Sequence, residues 1–170
     1  KARLDSDDLT LAAAAGMVGS PGTAIQVDTN LFSAQSATGV YVQELNGDMN
    51  VVQATADSGR VKLSAAHSIL DANPGNGVDI SAPDVELVAS TGSLGSSANP
   101  LEIDVAASSL YASAQGGIYL DDVAGALGVG QVTSTAGDIV LRVRETLDSG
   151  EDLLLGAGSS IRAQEGAIGL

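Results

Sequence analysis

The chain repeats itself, and that restricts what it can fold into more tightly than any other property. Residues 8–28, DLTLAAAAGMVGSPGTAIQVD, return at 84–104 as DVELVASTGSLGSSANPLEID. At this displacement of 76 positions Asp8 falls on Asp84, Leu11 on Leu87, Gly16 on Gly92, Gly19 on Gly95, Ser20 on Ser96 and Asp28 on Asp104. After a small insertion the match resumes at a displacement of 78. GVYV at 39–42 meets GIYL at 117–120, and Val51, Gln53, Thr55, Gly59 and Leu63 meet Val129, Gln131, Thr133, Gly137 and Leu141. GAIG at 166–169 restates GSLG at 92–95. Residues 1–170 therefore read as one segment with copies at about 8–83 and 84–160 and a third begun at 161–170. Periodicity of this kind belongs to architectures in which each unit buries its apolar face on the next.

The repeated unit is written in strands. Short alternating runs recur at Leu9–Leu11, Ile25–Val27, Leu31–Ser33, Val40–Val42, Met49–Gln53, Val61–Leu63, Val78–Ile80 and Val85–Val88. They continue at Leu101–Val105, Leu110–Ala112, Ile118–Leu120, Leu127–Val132, Ile139–Val143, Leu153–Leu155 and Ile161–Ala163. Alternation with β-branched residues between Gly, Asn, Asp and Ser is a strand pattern. The Ala12–Ala15 run has helix propensity, but its counterpart VAST at 88–91 reads as strand and turn. Four turns to a 78-residue copy predict coils of about 19–20 residues, and hence about 8–9 coils, stacked strand on strand. Leu9 and Leu11, Val61 and Leu63, Val85 and Leu87, Ile118 and Leu120, and Ile139 and Leu141 are the expected inward pairs. An antiparallel sandwich, which Asn46-Gly47 and Asn76-Gly77 would suit as hairpin turns, does not explain why the copies recur in order.

Composition agrees with a narrow stacked interior: 2% aromatic residues, no Trp and no Cys. Without Cys there is no disulfide framework, zinc–thiolate site or thiol nucleophile. The net charge of -14 argues against nucleic acid and against an anionic membrane surface. No run is long and apolar enough to span a bilayer. The leading KARLDSDD has no apolar core of a signal peptide, so the chain reads as a mature segment or an excised piece.

Several residues are candidates for chemistry. Asp121-Asp122, with Asp104, is the best carboxylate cluster for a glycosidic site, against the simpler reading of turn-lining acids. Asp79, Asp121 and Asp122 are candidate calcium ligands. Gly75-Asn76-Gly77-Val78-Asp79 half-matches the nonapeptide of calcium-binding β-rolls, with Pro74 in place of the first Gly and no tandem copy, so Asp79 reads as an incidental turn residue. Asp5, Asp7 and Asp8 form a charge run of the kind that is usually solvated. His67, whose place in the second copy is taken by Glu145, is expected in solvent. Tyr41 and Tyr119 are equivalent and are expected to seal a core or corner. The loop DANPGNG at 71–77, answered by DSGED at 148–152, is where an individual function would sit. No nucleotide-binding or serine-hydrolase motif is present.

GDIVLRV at 137–143, residues 77–104 and SSIRAQEGAIG at 159–169 resemble the coils of filamentous-haemagglutinin-type secreted bacterial exoproteins. The resemblance covers nearly the whole chain at the level of coil pattern. It implies a right-handed parallel β-helix in a secreted or cell-surface shaft, of the kind involved in adhesion or biofilm matrix, and carries over no catalytic residue. The expected function is a non-catalytic, stiff segment of an extracellular fibre. Its expected partners are a second copy or neighbouring coils end to end, or a host or matrix polysaccharide or protein. The alternative is a polysaccharide-active or sugar-binding β-helix module.

Overall fold

In a computed structural model, residues 3–73, 75–146 and 150–170 are described, with side chains described at all of these except 106–108. The loops at 71–77 and 148–152 lie partly outside the described residues. Fourteen strands form one continuous sheet wound into a parallel β-solenoid of about 6 turns. Among the described residues every pairing between strands is parallel, and the one antiparallel bridge, Ser20 with Thr23, closes a turn. Among the described residues no helix is long and apolar enough to cross a membrane.

The strands are β1 (Arg3–Ala13), β2 (Met17–Val18), β3 (Ile25–Ser36), β4 (Gly39–Glu44), β5 (Met49–Ala56), β6 (Arg60–Ala65) and β7 (Ile69–Asp71). They continue as β8 (Ile80–Ala89), β9 (Leu101–Ala114), β10 (Ile118–Asp122), β11 (Leu127–Ser134), β12 (Ile139–Val143), β13 (Leu153–Ala163) and β14 (Ile168–Gly169). Pairs of short runs in the sequence fuse into the long strands β3, β9 and β13, each of which bends around a corner. The Ala run ends β1 and enters a turn, as its counterpart implies.

Alternation sends one side chain in two to the interior, where stacking turns it into columns. Val18, Val40, Val61, Val85, Leu110, Val129 and Leu155 follow one another along one face. Met49, Ile69, Leu94, Ile118, Ile139 and Ile168 form a second column, and Ile25, Val42, Leu63, Leu87, Ala112, Val132 and Ile161 a third. Each fully buried Leu or Ile contributes about 1.5–3 kcal/mol relative to exposure. The expected inward pairs from Val61 to Leu141 are buried; Leu9 and Leu11 are only partly so, because β1 belongs to the first turn and has a neighbour on one side alone. At the other end Leu155 and Ile168 are 57% and 46% exposed for the same reason.

The columns correct the coil length and number. Val18, Val40, Val61 and Val85 are successive turns of one face, so three turns already take the chain from Val18 to Val85. The repeat partner of Val18 is Leu94, which stands in the next column. Val18–Val40–Val61 in the first copy becomes Leu94–Ile118–Ile139 in the second, and Ile25–Val42–Leu63 becomes Leu101–Leu120–Leu141. A copy is thus three turns plus one step around the wall, not four turns. Coils are longer than 19–20 residues on average but uneven: the turn from Val61 to Val85 takes 24 and that from Leu110 to Val129 only 19. About 6 turns at roughly 4.8 Å make a rod near 30 Å long.

The equivalence of the copies extends to their corners. Gly19 and Gly95 both have positive φ, 74° and 61°, and a Cβ on either would lie 2.3 or 2.6 Å from the carbonyl oxygen of Tyr41 or Tyr119. The turn that follows is closed by reciprocal backbone bonds, Ser20 with Thr23 and Ser96 with Asn99. A second corner carries a ladder of side chains. Asp48 accepts the N–H of Ser68 at 2.8 Å, Ser68 that of Ser93 at 3.2 Å, Ser93 that of Gly117 at 3.0 Å, and Asp138 that of Ala167 at 2.8 Å. These residues stand just before Met49, Ile69, Leu94, Ile118, Ile139 and Ile168. A glycine stands two residues before five of these six side chains, His67 taking its place before Ile69.

Candidate metal centre

The loop 72–79 brings the chain from β7 to β8 and delivers Asp79 into the wall. Asp79 is wholly buried and takes part in the ladder by its backbone: its N–H donates to the carbonyl of Glu102 at 2.8 Å, and its own carbonyl accepts from Ala54 at 2.7 Å. Its Oδ2 accepts the N–H of Glu102 at 2.9 Å. Glu102, 3% exposed, stands one turn on, and its strand partner a further turn on is Asp121. Leu101 and Ile103 point to the core, so alternation puts Glu102 on the other side of the wall. Asp121, between Leu120 and Asp122, falls on that side too. Asp71, at the end of β7, closes the group, its Oδ1 accepting the N–H of Asn73 at 2.6 Å. Asp71, Asp79 and Glu102 each bring one carboxylate oxygen within 4.8 Å of the others.

One cation serves this acidic wall. The Arg144 guanidinium donates to Asp121 Oδ2 at 3.0 Å through Nε and to Glu102 Oε1 at 3.0 Å through a terminal nitrogen. The hydrogen bond to Asp121, with the nearby charges of Asp121 and Glu102, raises the Arg144 pKa above its ordinary value. The other oxygens are bare: Asp79 Oδ1, Glu102 Oε2 and Asp121 Oδ1 are buried without a hydrogen-bond partner. Burial pushes the Asp79 carboxyl up to about 8, against the opposing hydrogen bond from Glu102 and with the help of neighbouring Asp71 and Glu102.

Asp122 is separate. It stands in line with Ile80 and Ile103 on the inner face and is wholly buried. Its Oδ1 accepts the Val105 N–H at 3.3 Å and its Oδ2 has no partner. Burial, the largest cause, raises this carboxyl to about 7.

The three expected calcium ligands are therefore not brought together. Asp79 is central to one cluster, Asp121 is paired with Arg144 beside it, and Asp122 faces the interior. Asp121 and Asp122 stand in β10 rather than in a turn, whereas Asp79 does close the 72–79 loop but is fully enclosed. Asp71 and Glu102 are the members that sequence reasoning missed. Pro74, on which the nonapeptide comparison turns, lies outside the described residues, as do Asp148 and Ser149 of DSGED.

The remaining candidates are readily placed. Asp104 is half-buried beside the Ser81 hydroxyl at 3.4 Å. His67 is exposed. Asp5 and Asp28 pair with Arg3, and Asp7 Oδ1 accepts from Asn30 at 3.2 Å; Asp8 is exposed on the first turn. The rings of Tyr41 and Tyr119 lie over Gly39 and Gly117, where an added Cβ would fall 2.9 and 2.5 Å from a ring carbon. That is the sealing role expected of them.

Comparison with protein-family models, with curated proteins and with solved structures gives no match.

Proposed function

We propose that the chain is a stiff, non-catalytic shaft segment of an extracellular or cell-surface bacterial fibre. The observation that carries this reading is the run of unbroken aliphatic columns from the first turn to the last. Each turn buries its side chains on the next and hydrogen-bonds along the axis, so added turns lengthen the rod without introducing a hinge. The acidic surface, -14 overall, keeps such rods soluble and apart sideways. Among the described residues β1 pairs with β3 alone and β13 with β11 alone, and parallel edges of this kind suit pairing with further coils or with a second copy. Immunogold electron microscopy of intact cells of the source organism, with antibody against this chain, tests the reading. Gold along surface filaments or matrix is expected; label confined to the cell interior would overturn it.

A second reading, sugar binding, is favoured by one surface. Tyr111, 36% exposed, lies in an open groove of about 440 Å³ with Arg60, Glu86, Gln131 and Thr133. Arg60 sits 5.7 Å from the ring centre and is paired with Glu86. An aromatic face beside fixed polar groups suits a sugar ring. Retention on an immobilised-polysaccharide array that is lost in Tyr111→Ala would favour this reading over the shaft alone.

A further inference from the structure

We propose that Asp71, Asp79 and Glu102 form a site for one hard divalent cation, calcium, that pins the base of the 72–78 loop to the next turn of the solenoid. Charge is the first argument. Four carboxylates, Asp71, Asp79, Glu102 and Asp121, share one guanidinium, and three of the four are at least nine-tenths buried. Buried carboxylates require a compensating charge, and breaking such compensation is strongly destabilising. The second argument is independent of the charge count. With Asp79 Oδ2 used by the Glu102 N–H and Glu102 Oε1 by Arg144, Asp79 Oδ1 and Glu102 Oε2 are enclosed without a partner while the carboxylates are ionised; Asp79 can hydrogen-bond Asp71 only with a proton between them. Protein hydrogen-bond donors do not leave such oxygens bare without a reason.

The donor set selects the ion. All three ligands are carboxylate oxygens, with no thiol in the chain and its single histidine exposed, so the site suits a hard cation. Calcium takes oxygens at about 2.3–2.6 Å in an adaptable shell, and two oxygens across such an ion can lie nearly 5 Å apart. The three oxygens lie within 4.8 Å of one another, close enough for one such ion to reach all three. Magnesium demands a stricter octahedron and gives up its waters reluctantly, which suits an enclosed wall less well. Asp71 and Asp79 flank the loop and Glu102 belongs to the following turn, so the ion would add a cross-link to the ladder bonds and the Asp79–Glu102 side-chain bond that already join these segments.

The test uses the full chain, stripped with EDTA and dialysed at pH 7.5. Titration calorimetry with calcium chloride should give one site per chain that is absent in Asp79→Asn, and calcium should raise the melting temperature by about 5 °C or more. Asp79→Asn should itself melt above the stripped wild type and show no calcium response. Asp7→Asn, which alters the exposed N-terminal acids, should keep the full response. Magnesium should give a smaller shift than calcium. No calcium heat on the wild type, or a calcium shift that survives in both Asp79→Asn and Glu102→Gln, overturns the proposal. So does a stripped protein that gains the same stability from mild acidification and nothing more from calcium, since the carboxylates would then be held by a shared proton. The wild-type calorimetry decides the matter even where a variant fails to fold.

Discussion

Glu44 and Asp122 occupy the same place in the two copies and do opposite things to the fold. Both carboxylates point into the rod, 2% and 0% exposed, and both receive a backbone N–H from the equivalent strand of the preceding turn. Thr29 donates to Glu44 Oε2 at 3.0 Å, and Val105, its counterpart, donates to Asp122 Oδ1 at 3.3 Å. Glu44 has one methylene more and turns its second oxygen back to the Asn46 N–H at 3.1 Å. Asp122 cannot reach so far, and its second oxygen is left bare. One carboxylate thus satisfies the wall and the other burdens it. Burial alone does not decide whether an acid is a structural asset; the number of donors it meets does.

The largest expected effect is a difference between two truncations. Glu44→Ala strips the acceptor from two N–H groups, one of them buried, and should cost about 2–4 kcal/mol. Asp122→Ala removes one weak bond and relieves an enclosed charge. At pH 8 it should change stability by less than about 1 kcal/mol in either direction. Urea denaturation of both variants at pH 8 measures the pair. Equal losses would mean that the extra N–H contact of Glu44 has no energetic weight.

The next effect is the pH dependence that Asp122 contributes. Asp122 has a folded value of about 7 against an ordinary 3.8, so it holds its proton more tightly in the native state. Between about pH 4 and pH 7 the native chain retains a proton that the unfolded chain has released. Stability contributed by this group is therefore full below about pH 4 and is lost as pH rises to about 7. On going from pH 8 to pH 5 the wild type should gain about 1–3 kcal/mol relative to Asp122→Asn. Asp79, raised to about 8, adds a slope of the same sign, but it is present in both proteins and cancels. Parallel pH profiles for the two proteins would show that Asp122 carries no such proton linkage.

Much of this was legible before any coordinates. Alternation puts Val42 and Leu120 inside, and Glu44 and Asp122, two residues further on, share their faces; the 78-residue displacement then pairs the two acids. Reading Asp122 as a turn acid overlooked that parity. Glu102 was not legible in the same way. It lies between Leu101 and Ile103, so alternation sends it outward, and what covers it comes from far along the chain: Asp71, Asp79 and Arg144, the last of these 42 residues away. The strand runs and the parallel stacking follow from local pattern, whereas the coil length does not. A repeat displacement measures how far the chain travels before its environment recurs, and Val18 and Leu94 have like environments on different faces. Only the pairing of Val61 with Val85 separates whole turns from the step between faces.

The smallest effect tests whether one methylene is the whole difference between the copies. In Asp122→Glu the longer side chain gains the reach that Glu44 has, and the N–H equivalent to that of Asn46 belongs to Ala124. If the pocket admits the added carbon, the second oxygen meets that donor and the chain should be more stable at pH 8 by about 0.5–1.5 kcal/mol, the net value of one hydrogen bond. The Ala124 amide proton should move downfield in a nitrogen–proton correlation spectrum, and the pH slope between 5 and 8 should flatten. The opposing term is overpacking, since Ile80 and Ile103 fill the column beside Asp122 and an extra methylene in a tight core costs about 1–3 kcal/mol. A loss of stability with an unmoved Ala124 amide would show that the aspartate is there because the second copy has no room for glutamate. The bare oxygen would then be a consequence of packing rather than of an unmet donor within reach.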